Sequence, residues 1–229
     1  MKNNIQKAYV LTCEEYNILL AASGIKKCFL LDTGKRDIDS TRICNAMMHL
    51  YSTGIIDSDG TSFSMQGELK NMIEDIKSSD LAILIRMKNE RDRVLCCYKS
   101  INHNGYVVNE VSEYDDNAYR IYRQSGEELR KIISDAASIN RNTITLLDED
   151  EMYEAACNIK KELTSDEFSS YVNLQLVVDY MSLVEGAAQK RLLVLYQDNI
   201  KRLVVTDSDQ IDEEEFSEIS LKEKLNDIG

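Results

Sequence analysis

Proline and tryptophan are absent from the 229 residues, and glycine occurs only nine times. Long disordered linkers usually contain more proline and glycine, so we expect a compact body with short connections. No apolar run approaches the ~20 residues of a membrane span. Glutamates interrupt the N-terminal stretch MKNNIQKAYVLTCEEY before it could form a signal peptide. We therefore predict a cytoplasmic protein that does not engage a membrane.

The six cysteines are scattered, and no CxxC motif occurs among them. Cys96 and Cys97 are adjacent in an alternating apolar run, where their side chains would point to opposite faces of a strand. This spacing fits neither a zinc site nor a disulfide framework, and free thiols are typical of a reducing compartment.

Acidic residues exceed basic ones, 40 against 27, which gives a formal net charge of −13. A chain this acidic is repelled by nucleic acid and by anionic membrane surfaces. We therefore expect no nucleic-acid partner. Solubility alone explains this excess of acidic residues. The alternative explanation is functional: the protein binds a basic or apolar partner.

Local patterns in the first 140 residues predict strands that alternate with capped helices. Residues 8–11 read as a strand, and Thr12 with Glu15 forms a capping box for a helix that Gly24 ends. A tight turn at Asp59-Gly60 is predicted between short extended pieces. Further helices are predicted after Asp39 or Ser40, after Ser64 and after the capping box Ser125–Glu128. The first of these has an apolar face made of Ile43, Met47, Leu50 and Tyr51. Further strands are predicted at 28–31, 81–87, 93–100, 106–111 and 118–123.

The remaining residues repeat this order of a strand followed by a capped helix. Residues 143–147 read as a strand, and Asp148–Glu151 caps a helix bearing Met152, Ala156, Ile159 and Leu163. A long helix with Phe168, Tyr171, Val178 and Met181 is predicted to begin at the capping box Thr164–Glu167. Strands at 191–197 and 200–206, an acidic linker, a short strand near Phe216–Ile219 and a helix from Leu221 complete the chain.

The repeated pattern predicts an α+β fold made of two similar halves. LTCEEY at Leu11 and LDEDEM at Leu147 share both polarity and capping logic. We expect residues 1–140 and 141–229 to form the halves, to share one sheet and to make one compact domain.

Cys13 is the first candidate for chemistry, because a thiol at a helix N-terminus can become reactive. A catalytic thiol needs a base, yet neither His49 nor His103 lies in a recognisable catalytic context. Glu14 and Glu15 oppose formation of a thiolate. The capping box accounts for every residue here, so we expect no catalytic role.

Other motifs also have simpler explanations, and we expect no metal site and no cofactor. LLDTG (residues 30–34) has no second aspartate motif, as an aspartic protease requires. DSDGTSFSMQGE (57–68) lacks the sixth-position glycine of a calcium loop, and TGK (33–35) lacks the rest of a phosphate loop. The helix–helix–hairpin order between Asp39 and Ser100 is compatible with a winged helix, but its reading helix would not be basic.

Four segments together resemble the EspG family of cytosolic chaperones from type VII secretion systems. They are YVLTCEEYNILLAASG, the helix end MHLYSTGIIDSDG, the hairpin LAILIRM-KNERD-RVLCCYKS, and NAYRIYRQSGEELRKII. The resemblance implies two quasi-symmetric halves around a central, largely antiparallel sheet flanked by helices. It also implies a chaperone or adaptor, with no enzymatic activity, that binds a helical secreted protein or protein pair before export.

In that family the loop of the central hairpin contributes to client contact. By position, the resemblance assigns this role to Lys88, Asn89, Glu90, Arg91 and Asp92. The simpler interpretation of these five residues is a solvated hairpin loop. Two other hypotheses stay open: an acidic immunity protein that neutralises a basic toxin, and an enzyme whose site is too dispersed to recognise.

Overall fold

The computed structural model describes ten stretches of the chain, within which all following structural statements apply. The stretches are residues 7–25, 39–59, 63–88, 92–101, 103–111, 118–139, 149–160, 163–197, 199–208 and 210–228. The predicted strands at 28–31 and 143–147 and the LLDTG and TGK motifs lie outside them.

Strands and helices alternate along the described chain. The strands are β1 (Tyr9–Thr12), β2 (Ile56–Ser58), β3 (Phe63–Met65), β4 (Leu81–Met87), β5 (Arg93–Lys99), β6 (Tyr106–Val111), β7 (Ala118–Gln124), β8 (Leu174–Ser182), β9 (Ala187–Gln197), β10 (Ile200–Asp207) and β11 (Gln210–Glu215). The helices are α1 (Cys13–Ala22), α2 (Ser40–Ser52), α3 (Gly67–Ser78), α4 (Gly126–Ser138), α5 (Glu149–Cys157), α6 (Ser165–Ser170) and α7 (Glu218–Lys224).

A nine-stranded antiparallel sheet dominates the fold, in the order β1-β7-β6-β5-β4-β8-β9-β10-β11. Strands β2 and β3 form a separate hairpin. Together with the flanking helices, this confirms the α+β prediction of a large, largely antiparallel sheet.

The chain divides into two compact units. Unit 1 contains residues 1–79 and 98–124, and unit 2 contains residues 80–97 and 125–229. The boundaries of these units differ from those of the halves 1–140 and 141–229 that the repeat predicts. The division into two similar halves stays a prediction.

In unit 1, a capping box marks the passage from β1 to α1. Glu15 N–H donates to Thr12 Oγ1 at 3.2 Å, and Thr12 N–H donates to Glu15 Oε2 at 2.7 Å, as predicted. The helix therefore begins directly after β1 and buries Tyr16, Leu19 and Leu20. Gly24 takes the left-handed conformation that ends it, with φ of 73°.

Unit 2 has a core between α5, α6 and strands β8, β9 and β10. Its buried members include Ala156, Phe168, Val177, Leu193 and Val204. Every residue of β8 is buried, so this strand is covered on both faces. A strand covered on both faces shows a nearly continuous apolar run in place of alternation.

The predicted long helix from Thr164 is wrong beyond its first turns. The capping box between Thr164 and Glu167 is present, but α6 ends at Ser170. Val178 and Met181 lie in β8, where they pair with Ile85 and Ala82 of β4. β-Branched residues suit this buried pairing better than a helix interior.

Smaller corrections concern where other elements begin and end. Gln66, not Ser64, is the N-cap of α3. Helix α5 ends at Cys157, so Ile159 and Leu163 are buried outside it. Its predicted cap at Asp148 lies outside the described residues. The predicted acidic linker is strand β11, and the segment near Phe216–Ile219 leads into α7, which begins at Glu218.

The predicted apolar face of α2 is only partly buried. Leu50 is fully covered, whereas Ile43 is 38% exposed and Tyr51 is 58% exposed. The predictions for the other strands between residues 81 and 123 and for the capping box of α4 are confirmed.

Candidate functional site

Lys88, the first residue of the predicted contact loop, is buried, with only 4% of its surface exposed. Its Nζ donates to the carbonyl oxygen of Ser169 at 2.9 Å and lies 5.4 Å from the centre of the Phe168 ring. The ammonium is therefore held against α6. Lys88 positions the loop and does not offer its charge at the surface.

Gln175 links the beginning of the same loop to two other elements. Its backbone carbonyl accepts from Lys88 N–H at 2.9 Å. Its side-chain Nε2 donates to Lys88 O at 3.0 Å and to Ala136 O in the last turns of α4 at 2.9 Å. A buried amide with these partners fixes the end of β4 relative to β8 and α4.

The far end of the loop is also attached to α6. Ser169 Oγ donates to Asp92 Oδ2 at 2.8 Å, and Asp92 is exposed. Ser169 thus contacts both ends of the loop, through its carbonyl and its hydroxyl. Asn89, Glu90 and Arg91 lie outside the described residues, and their role as contact residues stays a prediction.

Ser169 and Gln175 were not predicted as anchors, because the helical spacing after Thr164 places both in one long helix. The only local signal was a lone glutamine in the apolar run LQLVV. Gln175 finds its hydrogen-bond partners at Lys88, directly after β4, and at Ala136 in α4, which are distant in sequence. Only the strand pairing brings them together.

A buried charge cluster fixes the strands that carry this loop. Asp179 on β8 accepts from Arg191 Nε at 2.5 Å and from Arg86 Nη1 at 3.1 Å, and none of the three side chains is more than 3% exposed. Arg191 Nη1 also donates to the carbonyls of Ala156 and Asn158. The cluster therefore joins β4, β8, β9 and the end of α5.

Cys13 lies in the first turn of α1 and is buried. Glu15 caps the helix with one carboxylate oxygen and contacts His49 Nδ1 with the other. The structure confirms that the capping box organises this stretch. His103, the second histidine, has its Nδ1 3.3 Å from Asp75, a buried carboxylate that Arg123 also contacts.

In the segment with a faint likeness to a calcium loop, residues 57–58 and 63–65 lie in the paired strands β2 and β3, with Ser58 opposite Phe63. Gly60 of the predicted turn lies outside the described residues. Across the described stretches, no cluster of three or more histidine, cysteine or acidic side chains is arranged to hold a metal ion. Burial raises the pKa of the Cys157 thiol, so that thiol stays protonated at neutral pH. The described helices are too short or too polar to cross a membrane.

Carbonyl, amide and hydroxyl hydrogen bonds thus hold Lys88 against α6 and β8, and Asp92 against α6. In fold, the chain belongs with proteins that set helices around a large antiparallel sheet.

No protein-family model and no curated protein matches the chain. Its fold is similar to that of the type VII secretion chaperone EspG5 of Mycobacterium tuberculosis, solved in complex with the PE25–PPE41 dimer. The TM-score is 0.58, and the match covers 97% of this chain and 95% of EspG5. Sequence identity is 8%, so the likeness concerns the fold. The predicted distant resemblance to EspG proteins is thereby confirmed at that level.

Proposed function

We propose that this protein is a cytoplasmic chaperone that binds a helical type VII secretion substrate and keeps it soluble for export. The observation that carries the proposal is the fold match over nearly the whole chain to EspG5, a chaperone bound to a PE25–PPE41 pair. The client of this chain would be a secreted protein or protein pair of the same kind.

The physical task is to cover an apolar surface that is needed only after export. Apolar residues exposed on a helical client favour aggregation in water. A surface on a rigid sheet covers them without refolding, so little binding free energy is lost in ordering the chaperone. No covalent step is required, in keeping with a chaperone rather than an enzyme.

The loop of residues 88–92 is the proposed point of contact. Gln175 and Ser169 hold Lys88, and Ser169 holds Asp92. Asn89, Glu90 and Arg91, between them in sequence, are the proposed contact residues. A loop anchored at both ends loses less conformational entropy on binding than a loop on a mobile stem. In this proposal Lys88 and Asp92 position the three contact residues between them.

Purification from the native host with its bound partner tests the function. A small helical secreted protein that co-purifies supports the proposal. A toxin domain in its place would favour the immunity-protein alternative, and the absence of any secreted partner would contradict the chaperone role.

Alanine substitutions then test the loop. Replacing Asn89, Glu90 and Arg91 together should weaken client binding at least tenfold by calorimetry. The matched control is Lys70→Ala, Asn71→Ala and Glu74→Ala, which removes similar exposed side chains from α3 in unit 1. Equal affinities for the two triple variants would remove the loop from the binding site.

A further inference from the structure

Strand β1 forms one edge of the nine-stranded sheet, and this edge carries no charge. Among the described residues β1 pairs only with β7, in the register that sets Val10 opposite Arg120. Residues 8–12 contain neither a charged side chain nor a proline, whereas the other edge strand, β11, is acidic. An edge strand presents backbone N–H and C=O groups that can pair with another strand, and charges or prolines commonly prevent this. β1 lacks both of those protections.

Helix α1, which follows β1, leans away from its open side. Tyr16 of α1 accepts a hydrogen bond from Asn109 on β6, and its ring centre lies 5.3 Å from that of Tyr119 on β7. The helix therefore packs over the strands on the β7 side of β1. Thr12 N–H is used in the capping box, so the open stretch ends there. Within that stretch the Val10 side chain is 59% exposed.

Residues 8–12 are complementary to a second copy of themselves in the antiparallel direction. A two-fold axis at the midpoint sets Val10 opposite Val10 of the other copy, and Tyr9 opposite Leu11. Alternation along the strand places Val10 on the exposed face, and Tyr9 and Leu11 together on the face that α1 covers. A β-branched pair and an aromatic–aliphatic pair both favour antiparallel pairing, and no like charges meet within the stretch.

The residues beside this stretch also favour a second copy as the partner. The same register brings Lys7 of each copy towards the first turn of α1 in the other copy, where Glu14 and Glu15 lie. Opposite charges therefore approach each other twice, once at each end of the paired strands. Arg42 and His49 already contact the two glutamates, so the added attraction is modest and mainly sets the direction of pairing.

We propose that the protein forms a symmetric dimer in which the β1 strands of two copies pair antiparallel, with Val10 opposite Val10. Because a two-fold pairing uses the same edge of both copies, the assembly closes at two. The contact involves few residues, so the dimer is weak, with a dissociation constant of about 10–100 µM. This inference is independent of the chaperone proposal, which is tested by the partner that co-purifies.

Sedimentation equilibrium of the purified full chain, from about 5 µM to about 1 mM, tests the pairing. The wild-type protein should approach the mass of a dimer as its concentration rises. Val10→Lys and Val10→Glu should each weaken self-association by about tenfold or more, because like charges directly opposite each other are destabilising. An equimolar mixture of the two variants should restore a dimer with one copy of each, since opposite charges then meet at the axis.

A second valine provides the matched control. Val184→Lys makes the same change at a residue that is 78% exposed between β8 and β9, and it should leave the dimer intact. The overall charge cannot explain a loss in Val10→Lys, because an added lysine makes the net charge of −13 less negative and reduces repulsion between copies. Circular dichroism checks that each variant is folded.

Four results would overturn the inference. The first is a wild-type protein that stays monomeric at about 1 mM, which would leave the β1 edge to a strand of another protein. The second is a dimer that Val10→Lys leaves intact. The third is a mixture of the two charge variants that fails to associate although the wild-type protein dimerises. The fourth is an equal loss in Val184→Lys, which would place the contact elsewhere.

Discussion

Replacing Asp179 by alanine should destabilise the protein more than any surface charge substitution. The carboxylate lies between the guanidinium groups of Arg191 and Arg86, at 2.5 Å and 3.1 Å, and all three groups are buried. Removing it leaves two buried cations without that neutralising charge. Breaking a buried ion pair from one side typically costs about 3–5 kcal/mol of unfolding free energy.

Urea unfolding followed by circular dichroism measures this loss of free energy directly. Thermal unfolding shows it as a lower melting temperature. In a chain of this size each kcal/mol lowers the melting temperature by about 2–4 °C, so a fall of roughly 6–20 °C is expected. Asp212→Ala is the matched control, since Asp212 pairs with Lys224 at 2.6 Å but is 66% exposed. An exposed pair contributes at most about 1 kcal/mol. If Asp179→Ala costs no more than the control, the reasoning about buried charge is refuted.

Two further predictions concern protonation and thiol access. A hydrogen bond from Arg123 lowers the pKa of Glu68 from its ordinary value of 4.5. The ionised carboxylate therefore stabilises the folded protein above that pH, and this stabilisation is lost as the pH falls through the lower folded value. Glu68→Gln should flatten the decline of the urea midpoint below about pH 4.5, and an unchanged decline would contradict this. Native alkylation read by mass spectrometry should label exposed Cys44 well before buried Cys157, whose pKa is raised by burial; equal labelling rates would refute the assignment.

Elements set by neighbouring residues were predictable from the sequence. The capping boxes at Thr12, Ser125 and Thr164 each need a hydroxyl and a glutamate three residues apart, and all three form. The strands LAILIRM and RVLCCYKS were recognisable because short apolar runs flank a charged loop. Both the signal and the structure are local in these cases.

Elements set by distant residues were not predictable in the same way. Phe168, Tyr171, Val178 and Met181 have helical spacing, yet β8 forms because β4 and β9 pair with it on either side. The short apolar run LQLVV is compatible with a buried strand or with a helix, and the strands that decide between them lie outside residues 164–182. The same cause hid the contacts of Gln175 and the burial of Lys88, so the predicted loop was recognisable while its anchors were not.

Strand β11 shows how position in a sheet can override residue preference. Acidic residues are uncommon in strands, and the run QIDEEE therefore resembled a linker. At the sheet edge these side chains reach water, and Arg202 and Lys224 neutralise two of them, Glu213 and Asp212. An edge strand accepts such residues where a central strand would not.

The acid-rich border of the sheet also bears on how copies of the protein meet. Two molecules that joined through β11 would bring four consecutive carboxylates of one against four of the other. Like charges placed opposite each other across paired strands are destabilising. The acidic rim therefore disfavours polymerisation of the protein through the unpaired backbone of its edge strand β11.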